Sequence, residues 1–534
     1  MKKNHVNIFY TFVALCLVSV LFSTPFLRYP YDMFHHLIII DDLYTKIVYP
    51  PKKFIGIFIN DLYFMITTGE HEVITLARPR YLWHYGWAFL FNLFHIDSTQ
   101  IFFRAKIIHV VQIYISLFSI YYFSKVIIRN IFKHINILTL KWLSFWSTFI
   151  WLTIYATFSE IFQQVWIMWY SINYQITLPL FWYMLGLTLV LLFEKTSWKI
   201  KLFFIFQILL LSRFILQVHS MEFMYYLMHL TLLSLIFIDK IYLLLKQYFY
   251  LLIPLIFAII YMAKHYQPEK SLLFEYLSME KLPILYNKIM EAGTLLLTGY
   301  NRAFASVNEL MYFLFYFSFI FILYLLWKKY KKLEANINMR LFLFIFIGSM
   351  FALIPLYQFS GGLFSIITHM LVVNRLYYSA SLFILIPIFT YAILHHYKLR
   401  YINLFIGLTL VAITVFSKYS NIMHHNYYHN IQSIQNSFQE RRVGFNLSKE
   451  QIQAIKEKIQ FHEQNNTTPK AIKYYARADI AFVIKYIYKK DVNWKGRFGD
   501  MDYKNNYNKD KSNHMIQHIL FEIPKGFPSF IPYR

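Results

Sequence analysis

The chain holds one cysteine, Cys16, inside its first apolar run. A lone thiol excludes both a disulfide framework and a thiolate metal site. Glycine is scarce, 14 in 534 residues, and no stretch of the chain repeats another. Both absences argue against a transporter, whose halves repeat and whose midplane helices break at Gly or Pro. Charge is thin as well, 15% of residues against about 25% in soluble domains. Acids are the rarer sign, 27 against 52 Lys and Arg, for a net charge of +25. That excess invites a nucleic-acid partner, but its distribution argues against one. The basic residues sit in short clusters between apolar runs, as in cytoplasmic loops, and in the C-terminal tail.

Apolar and aromatic residues fill the chain instead, at 58% and 21%. Repeated apolar runs of about 20 residues are long enough to cross a bilayer as helices. The pattern predicts an all-α polytopic membrane protein with about eleven spans. The first covers Ile8–Leu27 with its N-terminus cytoplasmic, because Ser23-Thr24-Pro25 is a poor cleavage site for a signal peptide. Residues 28–100 then lie outside the cytoplasm. Asp32–Tyr44 and Phe54–Thr67 read as amphipathic helices lying in the membrane interface. Tyr81–Phe94, about 14 residues, is too short to span and reads as a third interfacial helix.

Ile101–Ile128 crosses inward to Lys125, Arg129, Lys133 and Lys141. The alternation continues through Trp142–Phe158, Ile176–Phe193, Leu202–Gln217, Phe223–Ile238 and Ile241–Met262. It resumes with Glu309–Trp327, Leu341–Tyr357, Leu376–Leu394 and Tyr401–Phe416. Every inward loop carries Lys or Arg, and Lys328-Lys329-Tyr330-Lys331-Lys332 is the densest cluster. Gly361-Gly362 falls in an outer loop that ends at Asn374-Arg375. The reading gives a membrane domain over 1–417 and a small, mostly helical domain outside over 418–534. In that tail, Ser448-Lys449-Glu450-Gln451 is a capping box that opens a helix to about Gln464. Ile472, Ala476, Ile480, Val483 and Ile487 predict a second helix over Ala471–Lys489. The Lys, Asn, Ile and Phe content fits an AT-rich bacterial genome, hence a plasma (inner) membrane.

Chemistry-bearing residues gather between Arg28 and Trp83. Asp32 opens the first outer helix, with His35 and His36 three and four residues on, on the same helix face. A carboxylate there serves as general base or metal ligand, or more simply as a helix cap. Asp41 and Asp42, nine and ten residues on, are not both on that face. Glu160, in the next outer loop, is a partner acid for Asp32. Glu70-His71-Glu72 lacks a third metal ligand at fixed spacing and reads as a solvated loop.

The order of these parts resembles the N-terminal module of GT-C superfamily glycosyltransferases, nearest to the lipid A aminoarabinose transferase and protein O-mannosyltransferase group. The resemblance covers about the first 130 residues. That group carries an acidic motif after the first span, a Lys-Pro-Pro-Leu-x-x-Trp motif, a short helix ending Leu-Phe-Gly, and an Arg opening the next span. The counterparts are Asp32 to His35, Arg78-Pro79-Arg80-Tyr81-Leu82-Trp83, Asn92-Leu93-Phe94-His95, and Arg104. A weaker echo is Asn374-Arg375-Leu376-Tyr377-Tyr378 before a late span.

The resemblance implies sugar transfer from a polyprenyl-phosphate donor to a glycan, lipid or protein acceptor on the outer face. It makes Asp32 the base and Arg78, Arg80 and Arg375 the phosphate-binding residues, with His35, His36 and Glu160 in support. A guanidinium suits the phosphate role through its bidentate fork. Met33 stands where the family carries its second acid and His35 where it carries Arg. A two-acid divalent-metal site is therefore not expected at that position. The rival readings are a polymerase or ligase of lipid-linked glycans, a transporter or flippase, and a catalytically inactive scaffold.

Overall fold

A computed structural model describes residues 31–46, 82–97, 100–132, 134–151, 173–218, 220–247, 283–295, 338–367, 449–465, 471–476, 483–493 and 516–520, with scattered positions at 373–391 and 480–481. Most of these residues are helical. They form α1 (Tyr31–Lys46), α2 (Leu82–Leu93), α3 (Ile101–Ile131), α4 (Ile137–Ile150), α5 (Asn173–Phe193) and α6 (Trp198–Val218). Next come α7 (Ser220–Ile236), α8 (Ile238–Gln247), α9 (Met339–Met350), α10 (Gln358–Ile367) and α11 (Lys449–Gln464). An unlabelled helical stretch covers 283–295. The chain divides into two compact units: Met1–Ala14, Ile115–Gln164 and Thr177–Asn426, and Leu15–Tyr114, Val165–Ile176 and Tyr427–Arg534.

Two helices in the described residues are long and apolar enough to cross a membrane. They are Phe103–Ile131, with mean hydropathy 1.5, and Ile176–Phe193, with 2.1. Met221–Ile236 and Met339–Met350 are shorter apolar helices. The spans expected at Ile8–Leu27, Glu309–Trp327 and Tyr401–Phe416 lie outside the described residues, as does the helix expected at Phe54–Thr67.

The first unit is built on aromatic packing. Trp182 is fully buried, its ring centroid 4.9 Å from Phe123, 4.5 Å from Phe181 and 5.3 Å from Phe383. Buried polar pairs add to this, including Thr188 with Tyr226 at 2.8 Å and Ser349 with Ser381 at 2.9 Å. In an apolar interior each such hydroxyl needs a partner. Arg340 donates to the last carbonyl of α7, Ile236, and pairs through both terminal nitrogens with Asp239. The Arg340 guanidinium holds the Asp239 carboxyl down at about 2.

The pair Gly361-Gly362 is not in a loop. It lies inside α10, which packs on helix 283–295 with backbones nearly touching. A Cβ on Gly362 would fall inside the radius of the Ile289 carbonyl and 2.9 Å from Gly293 N. Gln358 Nε2 seals the crossing by donating to Met290 O at 3.0 Å and Thr294 Oγ1 at 2.8 Å. The close approach of the two backbones, not a turn, explains Gly362.

In the second unit α1 forms over the stretch expected for it. His36, Leu37, Ile38, Ile40, Asp41 and Leu43 are all buried, so protein surrounds this helix on several sides. A helix lying in the interface would bury only one face.

The tail departs further from expectation. Helix α11 runs over Lys449–Gln464 as the capping box predicts. The second predicted helix is instead a strand, β1 (Ala471–Tyr475), followed by a π turn at Val483–Ile487 and strand β2 (Val492–Asn493). Strand β3 (Ile516–Leu520) completes a parallel sheet of order β2-β1-β3. The central strand of a parallel sheet is covered on both faces. Tyr474, Tyr475 and Ala476 are therefore buried one after another, and Ile480, Val483 and Ile484 join the same core. Of the positions that helical spacing picks, Ala476, Ile480 and Val483 are buried and Ile472 is partly buried, while Tyr474 and Tyr475 are buried in addition.

Candidate active site

The second unit holds α1, α2 and the start of α3, with Asp32, His35 and His36 on α1. Apolar spacing on α3 defines its inner face: Ile101, Arg104, Ala105, Ile108 and Gln112 are all buried, at helical intervals. Trp83 at the start of α2 donates its indole N–H to Gln112 Oε1 at 3.0 Å. The ring of Phe91, two turns further along α2, lies 5.3 Å from the Arg104 guanidinium. Contacts that advance along α2 while retreating along α3 make the two helices antiparallel.

The connection between them is tight. Helix α2 ends with Ile96 N–H donating to Phe91 O at 2.9 Å and His95 N–H to Asn92 O at 3.1 Å, while His95 sits at φ 53°. This is a Schellman ending with a left-handed residue at C′, the position that favours glycine. Histidine tolerates that conformation better than most side chains.

Helix α1 lies along α2. His36 Nδ1 and His84 Nε2 are 2.7 Å apart, and the Trp83 ring stands edge-on to both imidazoles. Two turns on, the Tyr44 ring lies 4.0 Å from the same Arg104 guanidinium that Phe91 approaches. Contacts therefore advance together, from His36 with His84 to Tyr44 with Phe91, and α1 and α2 run parallel. At about 1.5 Å of rise per residue both steps cover about 11 Å. The His36 and His84 rings are buried, and one must donate while the other accepts, so their facing nitrogens hold one proton between them.

Below this pair sits a buried ion pair. Arg104 NH1 donates to Asp41 Oδ1 at 2.8 Å, and both side chains are closed to solvent. Arg104 Nε and NH2 donate to Ile96 O at 3.0 and 2.5 Å, so the guanidinium also pins the end of α2. The second Asp41 oxygen accepts the Tyr486 hydroxyl at 2.8 Å, and Lys485 Nζ stands 3.8 Å away. Arg104 opens the long helix as the motif order anticipated, and its contacts assign it a fastening role. Asp41 and His84 were not picked out from sequence. Only their partners, 63 and 48 positions away, give them meaning.

Of the predicted site residues, His36 is the one whose side chain the structure describes, and it is drawn into this cluster. Asp32 and His35 lie in the first two turns of α1. Asp32 is one turn before His36 on the same helix face. Arg78, Arg80, Glu160 and Arg375 lie outside the described residues. Among the described residues no three His, Cys, Asp or Glu side chains converge as metal ligands. Comparison with known protein families, curated proteins and solved structures returned no match for this chain.

Proposed function

We propose that the chain is an integral-membrane glycosyltransferase of the GT-C kind, working on the outer face of a bacterial plasma membrane with about eleven spans. Its donor is a polyprenyl-phosphate sugar and its acceptor a hydroxyl on an envelope glycan, lipid or protein. The observation that carries this reading is the parallel pairing of α1 and α2. It sets the Asp32 end of α1 level with the start of α2, the helix that directly follows Arg78-Pro79-Arg80-Tyr81 in the chain. Two parallel helices also present both N-termini at that end, and their dipoles favour an anion such as a phosphate. A further support is His95. It stands where the resembled family carries glycine, and its positive φ meets the demand that glycine serves.

In this mechanism Asp32 accepts the proton of the acceptor hydroxyl as its oxygen attacks the anomeric carbon. The bond from that carbon to the phosphate oxygen breaks, with inversion, and polyprenyl phosphate leaves. Arg78 and Arg80 stabilise the charge growing on the phosphate. His36 and His84 form a polar floor one turn below the base.

The test is transfer by purified protein in lipid, given a polyprenyl-phosphate sugar and envelope acceptors. Asp32→Asn is expected to insert normally and to lose about a hundredfold or more in turnover. Arg78→Ala is expected to lose about a hundredfold. Full activity in Asp32→Asn, or no release of polyprenyl phosphate by the wild-type chain, defeats the reading. Transport of an intact lipid-linked sugar without bond cleavage identifies a flippase instead.

A further inference from the structure

The C-terminal tail reads from sequence as a small domain docked on the outer face, and in the structure it completes a buried group on α1. Asp41 is 2% exposed. A carboxylate taken out of water needs both oxygens engaged. Arg104 fills one of them. Among the described residues the other is filled solely by the tail, through the Tyr486 hydroxyl at 2.8 Å with Lys485 Nζ at 3.8 Å. Tyr486 is separated from Asp41 by 445 positions.

The tail is built to present these two side chains. Their π turn, Val483–Ile487, is closed by Tyr488 N–H donating to Val483 O at 3.2 Å. Val483 and Ile484 anchor it in the core formed with Ile455, Ile459 and Tyr474 of the same tail. The next two residues, Lys485 and Tyr486, then reach outward to one carboxylate.

We infer that residues 449–520 belong to the working unit, with Tyr486 and Lys485 docking on Asp41 to hold α1, and through it Asp32, in place. This rests on the reading of Asp32 as the base. Asp32 is nine residues before Asp41 on one continuous helix, about 13 Å along its axis. Tyr486 is thus a positioning residue that never meets the sugar. Releasing it leaves the second oxygen of Asp41 without its phenol donor and frees α1 to shift.

The experiment uses the full chain in lipid, with a protease site inserted between residues 430 and 440. After cleavage and washing, the wild-type C-terminal piece is expected to stay on the membrane. Tyr486→Phe removes one hydroxyl and no packing volume, and it is expected to raise the released fraction about tenfold, as for loss of one hydrogen bond to a charged group. Asp41→Asn is a second variant with the same expected direction. Lys490→Ala, whose partner Glu463 lies in the tail itself, is expected to change nothing. In uncleaved Tyr486→Phe, kcat for sugar transfer is expected to fall about tenfold while the donor KM holds. Equal retention in Tyr486→Phe, Asp41→Asn and wild type overturns the inference, and so does release of the piece with kcat unchanged. Retention is read on the protein alone. A wild-type chain that transfers no sugar therefore defeats the glycosyltransferase reading, while docking still stands or falls on the released fraction.

Discussion

At the scale of single residues, the second unit holds positions that are costly in isolation. Arg104 in the first turn of α3 faces the wrong end of a helix dipole. Asp41 and the Ile96 carbonyl make that position favourable. His95 holds a left-handed backbone that costs an ordinary L-residue about 1 kcal/mol. Glycine has no such cost. His95→Gly is therefore expected to raise stability by up to about 1 kcal/mol, less whatever the looser unfolded chain takes back. Thermal unfolding in detergent or lipid measures it. A fall of more than about 1 kcal/mol would show that the His95 side chain, rather than its backbone, matters here.

At the scale of elements, glycine serves opposite ends in two helices. Gly362 in α10 is there because the backbone of helix 283–295 leaves no room for a Cβ. Gly86 in α2 is exposed, with nothing within 4 Å of the place a Cβ would take. Gly362→Ala is expected to push the two helices apart and to cost at least about 1–3 kcal/mol, as overpacking does. Gly86→Ala is expected to stabilise α2 by about 0.5–1 kcal/mol through helix propensity. The pair is best measured side by side, since the two substitutions are chemically identical. Equal effects would contradict the packing described for α10.

At the scale of the whole molecule, the topology proposed from the loop charges puts the Lys328–Lys332 cluster in the cytoplasm and the tail outside. Cys16 is the single native thiol, so Cys16→Ser provides a clean background for labelling. A cysteine introduced as Ser433→Cys is expected to react with a membrane-impermeant maleimide on intact cells. One introduced as Lys331→Cys is expected to react after permeabilisation only. The reverse pattern inverts the topology and moves the proposed site to the cytoplasm. The docking of Tyr486 on Asp41 adds a consistency condition, because it requires α1 and the tail to lie on one side of the membrane.

Patterns written locally in the chain were legible in advance. Apolar run lengths located α3, α5, α6 and α7 to within a few residues, because an uninterrupted apolar run of about 20 residues satisfies its backbone most readily as one helix. The capping box placed α11, and the shortness of Tyr81–Phe94 singled out α2. Other features depend on distant partners. Residues 471–475 pair as a strand only because β2 and β3 flank them, and their apolar spacing fits either path. Asp41, His84 and Tyr486 carry no local signal, since a buried polar group is defined by what satisfies it. The sequence by itself determined which segments are apolar helices and where charge gathers, for those follow from side-chain solvation along the chain. Tertiary structure alone decided which carboxylate is buried, which histidines share a proton, and that the tail belongs with the first helix, because each depends on groups tens to hundreds of residues apart.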